Sequence, residues 1–267
     1  MTKYPIGIQT FSNIREEQYL YVDKTQYVHE LANTKKYVFL SRPRRFGKSL
    51  LTSTFHAYFS GRKELFKGLA IEQLEKEWKQ YPVLHFSLST AKMGTIEDLF
   101  NQINMQLKRM ERLYGQNRDG DDVTTRFSNL VTNLYDKTGK QVVVLIDEYD
   151  APLLTVLHDP QRLEPMRTAL QSFYSPLKDL DPYLRFVFIT GISKFSQLSI
   201  FSQLNNLYNI SMLPKYAALC GITQQELEDN FQEGISRLAR SQNISKNDVL
   251  QKLKRQYDGY HFAANSP

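Results

Sequence analysis

A chain of 267 residues, 41% of them hydrophobic, has enough apolar material for one large or two modest domains with a real core. No apolar run approaches the ~20 residues that span a bilayer, no apolar signal segment opens the chain, and the single cysteine, Cys220, cannot form an internal disulfide. A cytoplasmic protein with one buried thiol is expected. The net charge of +6 permits contact with nucleic acid without requiring it, and the five histidines (His29, His56, His85, His158, His261) lack the spacing of a zinc site.

Residues 1–34 contain Tyr4-Pro-Ile-Gly-Ile8, Ile14-Arg-Glu-Glu17 and Tyr19-Leu-Tyr-Val-Asp-Lys-Thr25. These read as a short extended piece, a turn and a helix from about Thr25 to Ala32, with Asp23 or Thr25 as its cap. The segment precedes the first strand and is expected to pack across the sheet edge near the site.

The stretch Tyr37-Val-Phe-Leu-Ser-Arg-Pro-Arg-Arg-Phe-Gly-Lys-Ser-Leu-Leu51 then runs strand, basic loop, Gly-Lys-Ser, helix. That is the layout of a phosphate-binding P-loop, with the helical pattern continuing from Leu50 to Phe59. Gly47 lets the backbone approach a phosphate, and the amides of the helix start point at it. Lys48 is placed to reach the β- and γ-phosphates and the Ser49 hydroxyl to sit on Mg²⁺. Arg42 stands where the usual pattern has its first glycine.

Downstream, Phe59 to Gly68 is turn-rich, Ile71 to Lys79 reads as a short amphipathic helix, and Tyr81 to Leu88 as a strand with Pro82 at its start. Ile96 to Leu113 places Leu99, Ile103, Leu107, Met110 and Leu113 on one helical face. Gly115 to Asp122 is a surface loop, and Phe127, Leu130, Val131 and Leu134 mark a second amphipathic helix ending near Gly139. Val142 to Ile146 is unbroken apolar sequence, as in a strand buried on both faces of a parallel sheet, and it ends on Asp147-Glu148. Carboxylates at that end of a strand lie where open α/β sheets bind ligands. Asp147 is expected to hold Mg²⁺, and Glu148 to take a proton from an attacking water. Asp150 either orients neighbouring site groups or caps the next helix.

A helix opens at His158-Asp-Pro and runs to about Tyr174. Its Arg162 and Arg167 read as surface charges, an arginine finger being the alternative. Leu184 to Gly191 is the fourth strand, Asn209 to Met212 a fifth, and Thr223 the N-cap of helical sequence that continues to Gln256 with a split near Asn243. Alternating buried strands and amphipathic helices predict an α/β fold with helices on both faces of a parallel sheet.

Tyr4-Pro-Ile-Gly-Ile8, Tyr21-Val-Asp-Lys-Thr25 and Ser41-Arg-Pro-Arg-Arg-Phe-Gly-Lys-Ser-Leu50 together resemble a bacterial family of predicted AAA-type ATPases. In that family Arg42 in place of glycine is the usual form. The likeness extends through Tyr149-Asp-Ala-Pro-Leu-Leu154 and Ser199 to Ser211. It implies a P-loop NTPase core of the ASCE/AAA type over 35–213, an N-terminal segment over 1–34, and a helical lid with the start of a linker over 214–267. It implies ATP and Mg²⁺ as ligands, with Arg42, Pro43, Arg44, Arg45, Phe46, Gly47, Lys48, Ser49 and Leu50 around the nucleotide. Alternatively the arginines face a nucleic acid or a partner subunit. It also makes Thr190-Gly-Ile-Ser-Lys194 a sensor strand beside the P-loop strand. Thr190, or else Ser193, then positions water against Glu148, unless either caps a turn. In relatives, Tyr257-Asp-Gly-Tyr-His-Phe262 precedes a C-terminal nuclease-like domain that this sequence lacks, so a fragment or a truncated member is expected. The expected function is ATP hydrolysis coupled to a partner or such a domain. The alternatives are a nucleotide-dependent switch with little hydrolysis and a DNA-binding module, and a homo-oligomer is compatible with each.

Overall fold

The computed structural model describes residues 2–89, 94–117, 120–193, 200–201, 204, 206–260 and 262–263. Four strands form its centre: β1 (Tyr37–Ser41), β2 (Val83–Ser87), β3 (Val142–Asp147) and β4 (Leu184–Gly191), with a two-residue β5 (Tyr208–Asn209) at one edge. The order is β2-β3-β4-β1-β5 and every pair is parallel. The register sets Ser87 beside Asp147, Leu40 beside Thr190 and Ser41 beside Gly191, so the carboxyl ends of four strands meet along one edge.

Period-2 alternation sends successive strand residues into two separate cores. Tyr37, Phe39, Val142, Val144 and Ile146 face one, and Val38, Leu40, Val143 and Leu145 face the other. In β4 the phase changes between Leu184 and Phe186, where its pairing with β3 shifts register. The first core is covered by α5 (Ile96–Leu113), α6 (Val123–Thr138) and α8 (Pro160–Tyr174). The second is covered by α1 (Phe11–Glu16), α2 (Thr25–Thr34), α3 (Lys48–Phe59) and the single turn α4 (Ile71–Leu74). Helix α5 starts where Thr95 and Asp98 exchange side-chain and backbone bonds in a capping box. Helix α6 stops where Gly139 turns left-handed at φ +64°. Two short helices, α7 (Ala151–Thr155) and α9 (Pro176–Asp179), flank α8. After the sheet come α10 (Gln224–Asn230), α11 (Gln232–Gln242) and α12 (Lys246–Tyr257), which share a small cluster of Ile235, Ala239 and Val249.

Several expectations are corrected. Helix α1 was not anticipated. The helix expected from Ile71 to Lys79 ends at Leu74, because the Glu75 carboxylate accepts from the amides of Glu77 and Trp78 and draws the chain out of the helical path. The fifth strand lies at Tyr208–Asn209 rather than 209–212, since Ser211 spends its hydroxyl on the Ser41 amide. The helical region past Thr223 has a second break at Phe231 besides the one at Asn243. The N-terminal segment packs on these last helices and on α3, joins the second core through Val28, Leu31 and Ala32, and lines the cavity beside the loop. Tyr4 stacks on Phe231 at 5.5 Å, Thr2 donates to Glu233, Lys24 pairs with Glu226, and the Phe11 amide donates to Ser53 Oγ. Asp23 does serve α2, accepting from the Thr25 amide and hydroxyl, and its other oxygen accepts from the Ala70 amide. Lys194, residues 195–199, 202, 203 and 205, and His261 of the sequence motifs lie outside the described residues. Among the described residues no helix is long and apolar enough to cross a membrane.

His56 on α3 and His85 on β2 place their rings 6.3 Å apart under this layer. Burial is the main force holding both below the usual imidazole range. For His56 the His85 ring and Arg62 add to it, while Asp147 partly offsets it for His85. A depressed folded-state pKa leaves stability intact above the unfolded value of ~6.5 and removes it as pH falls below that. The melting temperature is therefore expected to drop between pH 7 and 5, ahead of carboxylate protonation. Each histidine contributes at most ~1.4 kcal/mol per pH unit. Thermal melts of His85→Leu should show a shallower acid limb than wild type; equal slopes would contradict the assignment.

Candidate functional site

β1 runs straight into the loop that builds the site. The Arg42 amide donates to the Gly191 carbonyl at 3.1 Å, extending the β1–β4 pairing by one bond. The chain then turns through Arg45 (φ +67°) and Gly47 (φ +86°) into α3. Gly47 is the N-cap residue, and the left-handed conformation there favours glycine. Glycine also brings no side-chain acceptor to the first-turn amides, which therefore point toward whatever occupies the loop.

Lys48, only 4% exposed, folds back so that Nζ donates to the carbonyls of Arg42 and Pro43, each at 3.0 Å. Burial lowers its pKa, and the nearby charges of Glu148, Asp147 and Asp150 oppose that shift. The lysine and the acidic strand end therefore share one electrostatic neighbourhood, although they come from opposite halves of the chain.

At that strand end Asp147 is buried, and its Oδ1 accepts from Thr190 Oγ1 at 2.5 Å. Thr190 is itself fully buried and also lies 3.4 Å from the Glu148 amide, so it orients the carboxylate pair from behind. Glu148 takes the left-handed region (φ +55°), costly for a side chain with a Cβ, and the Tyr149 amide fixes the turn on the Thr190 carbonyl at 2.9 Å. Burial and then the Asp147 charge raise the Glu148 pKa, against Lys48. Such a carboxylate is a stronger base than an exposed one. Asp150, 1% exposed, caps no helix with its side chain. It accepts from the amides of Ile192 and Ser193 and holds the end of β4 against the acidic turn.

The Arg42 side chain departs from the expectation that it faces a triphosphate. It is 2% exposed, and its guanidinium donates to the carbonyls of Ser41, Ser211 and Tyr216, tying the ends of β1 and β5 to the following turn. The cause is the set of carbonyls gathered there, which a guanidinium matches geometrically. Arg44 and Arg45 remain exposed on the loop. Ser193 contributes its amide to Asp150 and its carbonyl to Tyr149 OH at 2.7 Å. Arg162 and Arg167 pair within their own helix region, with Asp159 and Glu164.

Two cavities flank the loop. One of about 300 Å³ lies between the N-terminal segment, the loop and residues 219–222, with Pro5, Ile8, Tyr21, Phe46, Leu219 and Phe231 in its walls and Lys24 among its polar groups. Its size and apolar lining suit a nucleobase. No residue pattern in the sequence marks this cavity; of Tyr4-Pro-Ile-Gly-Ile8, Pro5 and Ile8 line it. The other, about 430 Å³, is lined by Arg44, Ser89, Glu148, Asp150, Leu154 and Ile192, and gives solvent access to Glu148. Ser49 and Asp147 carry oxygen donors of the kind hard Mg²⁺ takes, while among the described residues no group of three or more His, Cys, Asp or Glu is arranged to hold a metal ion.

A family model described as predicted AAA-ATPase matches residues 5–201. Among curated proteins, the chain is similar to an uncharacterized protein in the vnfD 5′ region of Azotobacter chroococcum mcd 1, at 37% identity over 265 residues. The match covers 99% of this chain and 49% of that relative, so the chain spans about half the relative's length.

Proposed function

Because this chain belongs to the AAA-ATPase-like family of predicted AAA-ATPases, we propose that it binds Mg·ATP at the carboxyl edge of the sheet and hydrolyses it to ADP and phosphate. The observation that carries this reading is the convergence of buried Lys48 with Asp147 and Glu148 across the β1–β4–β3 ends. In this reading the loop amides at 47–50 and Lys48 hold the β- and γ-phosphates, and the base sits in the apolar cavity beside Phe46. Ser49 and Asp147 hold Mg²⁺, which when bound neutralises charge on the phosphate oxygens. Glu148 accepts a proton from water as the water oxygen attacks the γ-phosphorus and the bond to the β-phosphate oxygen breaks. Thr190 acts by orienting Asp147 and the Glu148 backbone rather than by touching the water.

A nucleotide-dependent switch is the second reading. It is favoured by the Tyr4–Phe231 and Lys24–Glu226 contacts, which bridge the N-terminal segment and the last helices around the base cavity. In either reading the output passes to a partner or coupled domain.

Phosphate release separates the two readings. Glu148→Gln is expected to lower turnover by roughly 10²–10⁴-fold while leaving the Kd for Mg·ATP within about threefold of wild type. Binding without turnover in wild type would favour the switch. Undiminished turnover in Glu148→Gln would remove this residue as the base.

A further inference from the structure

The motif Tyr257-Asp-Gly-Tyr-His-Phe262 has no part in the chemistry above, yet two of its rings lie on the phosphate loop. Phe46 meets Tyr260 edge-on at 4.7 Å and Phe262 at 5.1 Å, and those two rings stack on each other at 6.0 Å. The Arg42 guanidinium lies 4.4 Å from the centre of the Phe262 ring. Phe46 is held from behind as well: its carbonyl accepts from the Gly221 amide, and a Cβ on Gly221 would come within 3.1 Å of its ring. Phe46 also forms part of the wall of the 300 Å³ cavity, so one residue of the loop touches both the candidate base site and the rings of Tyr260 and Phe262.

We propose that Tyr260 and Phe262 form an aromatic strap whose docking on Phe46 and Arg42 is coupled to occupancy of the phosphate loop. The proposal rests on the nucleotide reading above. The physical basis is shared ordering. The Phe46 ring carries both strap rings and is part of the cavity wall, so a nucleotide seated there and a docked strap each have to fix the same side chain between the positive-φ turns at Arg45 and Gly47. Whichever arrives second finds that cost already met, which makes the coupling positive. Linkage makes it reciprocal: the factor by which the strap tightens nucleotide binding is the factor by which nucleotide tightens the strap. A coupling of about tenfold is expected, within the usual range for two linked sites.

The test compares wild type with Tyr260→Ser/Phe262→Ser, after melting curves show that the double variant is folded. Without nucleotide, amide hydrogen exchange over 42–47 is expected to be faster in the variant; equal rates would overturn docking. With Mg·ATP, exchange over 257–260 of wild type should slow, and the variant should bind Mg·ATP about tenfold more weakly. Restoring Tyr260→Phe and Phe262 should recover tight binding. An unchanged Kd in the double variant, with wild type binding normally, overturns the coupling alone. Failure of wild type to bind Mg·ATP overturns the nucleotide reading and the coupling with it.

Discussion

Lys48→Ala is expected to weaken Mg·ATP binding by at least about 100-fold, because an ammonium donating to phosphate oxygens makes charge-assisted bonds worth ~1.5–3 kcal/mol each, and ~2.7 kcal/mol is two decades in Kd. The fold should survive the change. In the protein as it stands, Lys48 bonds to two loop carbonyls, those of buried Arg42 and half-buried Pro43, so a modest fall in melting temperature is expected beside the loss of binding. Lys48→Arg should not restore binding, since the planar guanidinium does not fit a site shaped for a compact point charge. Titration calorimetry measures this. A Kd within threefold of wild type would show that the loop does not bind phosphate through this residue.

Gly191→Ala is expected to be the most damaging change of a single methyl group. A Cβ on this residue would sit 2.4 Å from Tyr149 Cε1 and 2.6 Å from Asp150 Oδ1. Neither neighbour can yield easily. Tyr149 is fully buried against Phe39 and Phe201, and Asp150 is held by the amides of Ile192 and Ser193. Overpacking of this kind costs ~1–3 kcal/mol, which for a chain of this length lowers the melting temperature by roughly 2–5 °C. Relief by movement of residues 149–150 also drags Glu148 out of its left-handed turn, so turnover should fall more than stability alone explains. Melting and phosphate release on the same preparation check both halves. A variant with wild-type stability and turnover would mean that the turn is not fixed by this contact.

The parts of the molecule governed by local pattern were readable in advance. Strand β4 spans the residues its apolar run marks, α5 runs from Ile96 to Leu113 and buries Leu99, Ile103, Leu107 and Met110 as its periodicity requires but leaves Leu113 exposed, and Thr223 caps its helix in a capping box. Gly47, Lys48, Asp147 and Glu148 converge because a parallel sheet brings strand ends together, and that follows from the order of elements. What could not be read depends on contacts distant in sequence. Arg42 sits in a motif that suggests phosphate binding, but its partners Ser211 and Tyr216 lie 169 and 174 residues away, and only the fold reveals that they take its guanidinium. The apolar cavity beside Phe46 is assembled from the N-terminal segment, the loop, residues 219–222 and Phe231, and of these only the loop carries a phosphate-binding pattern. Thr190 was legible as a polar residue at a strand end, but that its hydroxyl turns to Asp147 depends on the pairing of β3 with β4.

The central claim is that Lys48 and the loop amides at 47–50 hold the phosphates of a nucleotide, and the direct test is parallel titration of the wild-type chain with Mg·ATP and with AMP. One site per chain is predicted, with ATP bound at least about tenfold more tightly than AMP, because AMP fills the base cavity but leaves Lys48 and the first-turn amides of α3 without β- and γ-phosphates to engage. Equal affinity for the two, or no saturable binding of either, would contradict it.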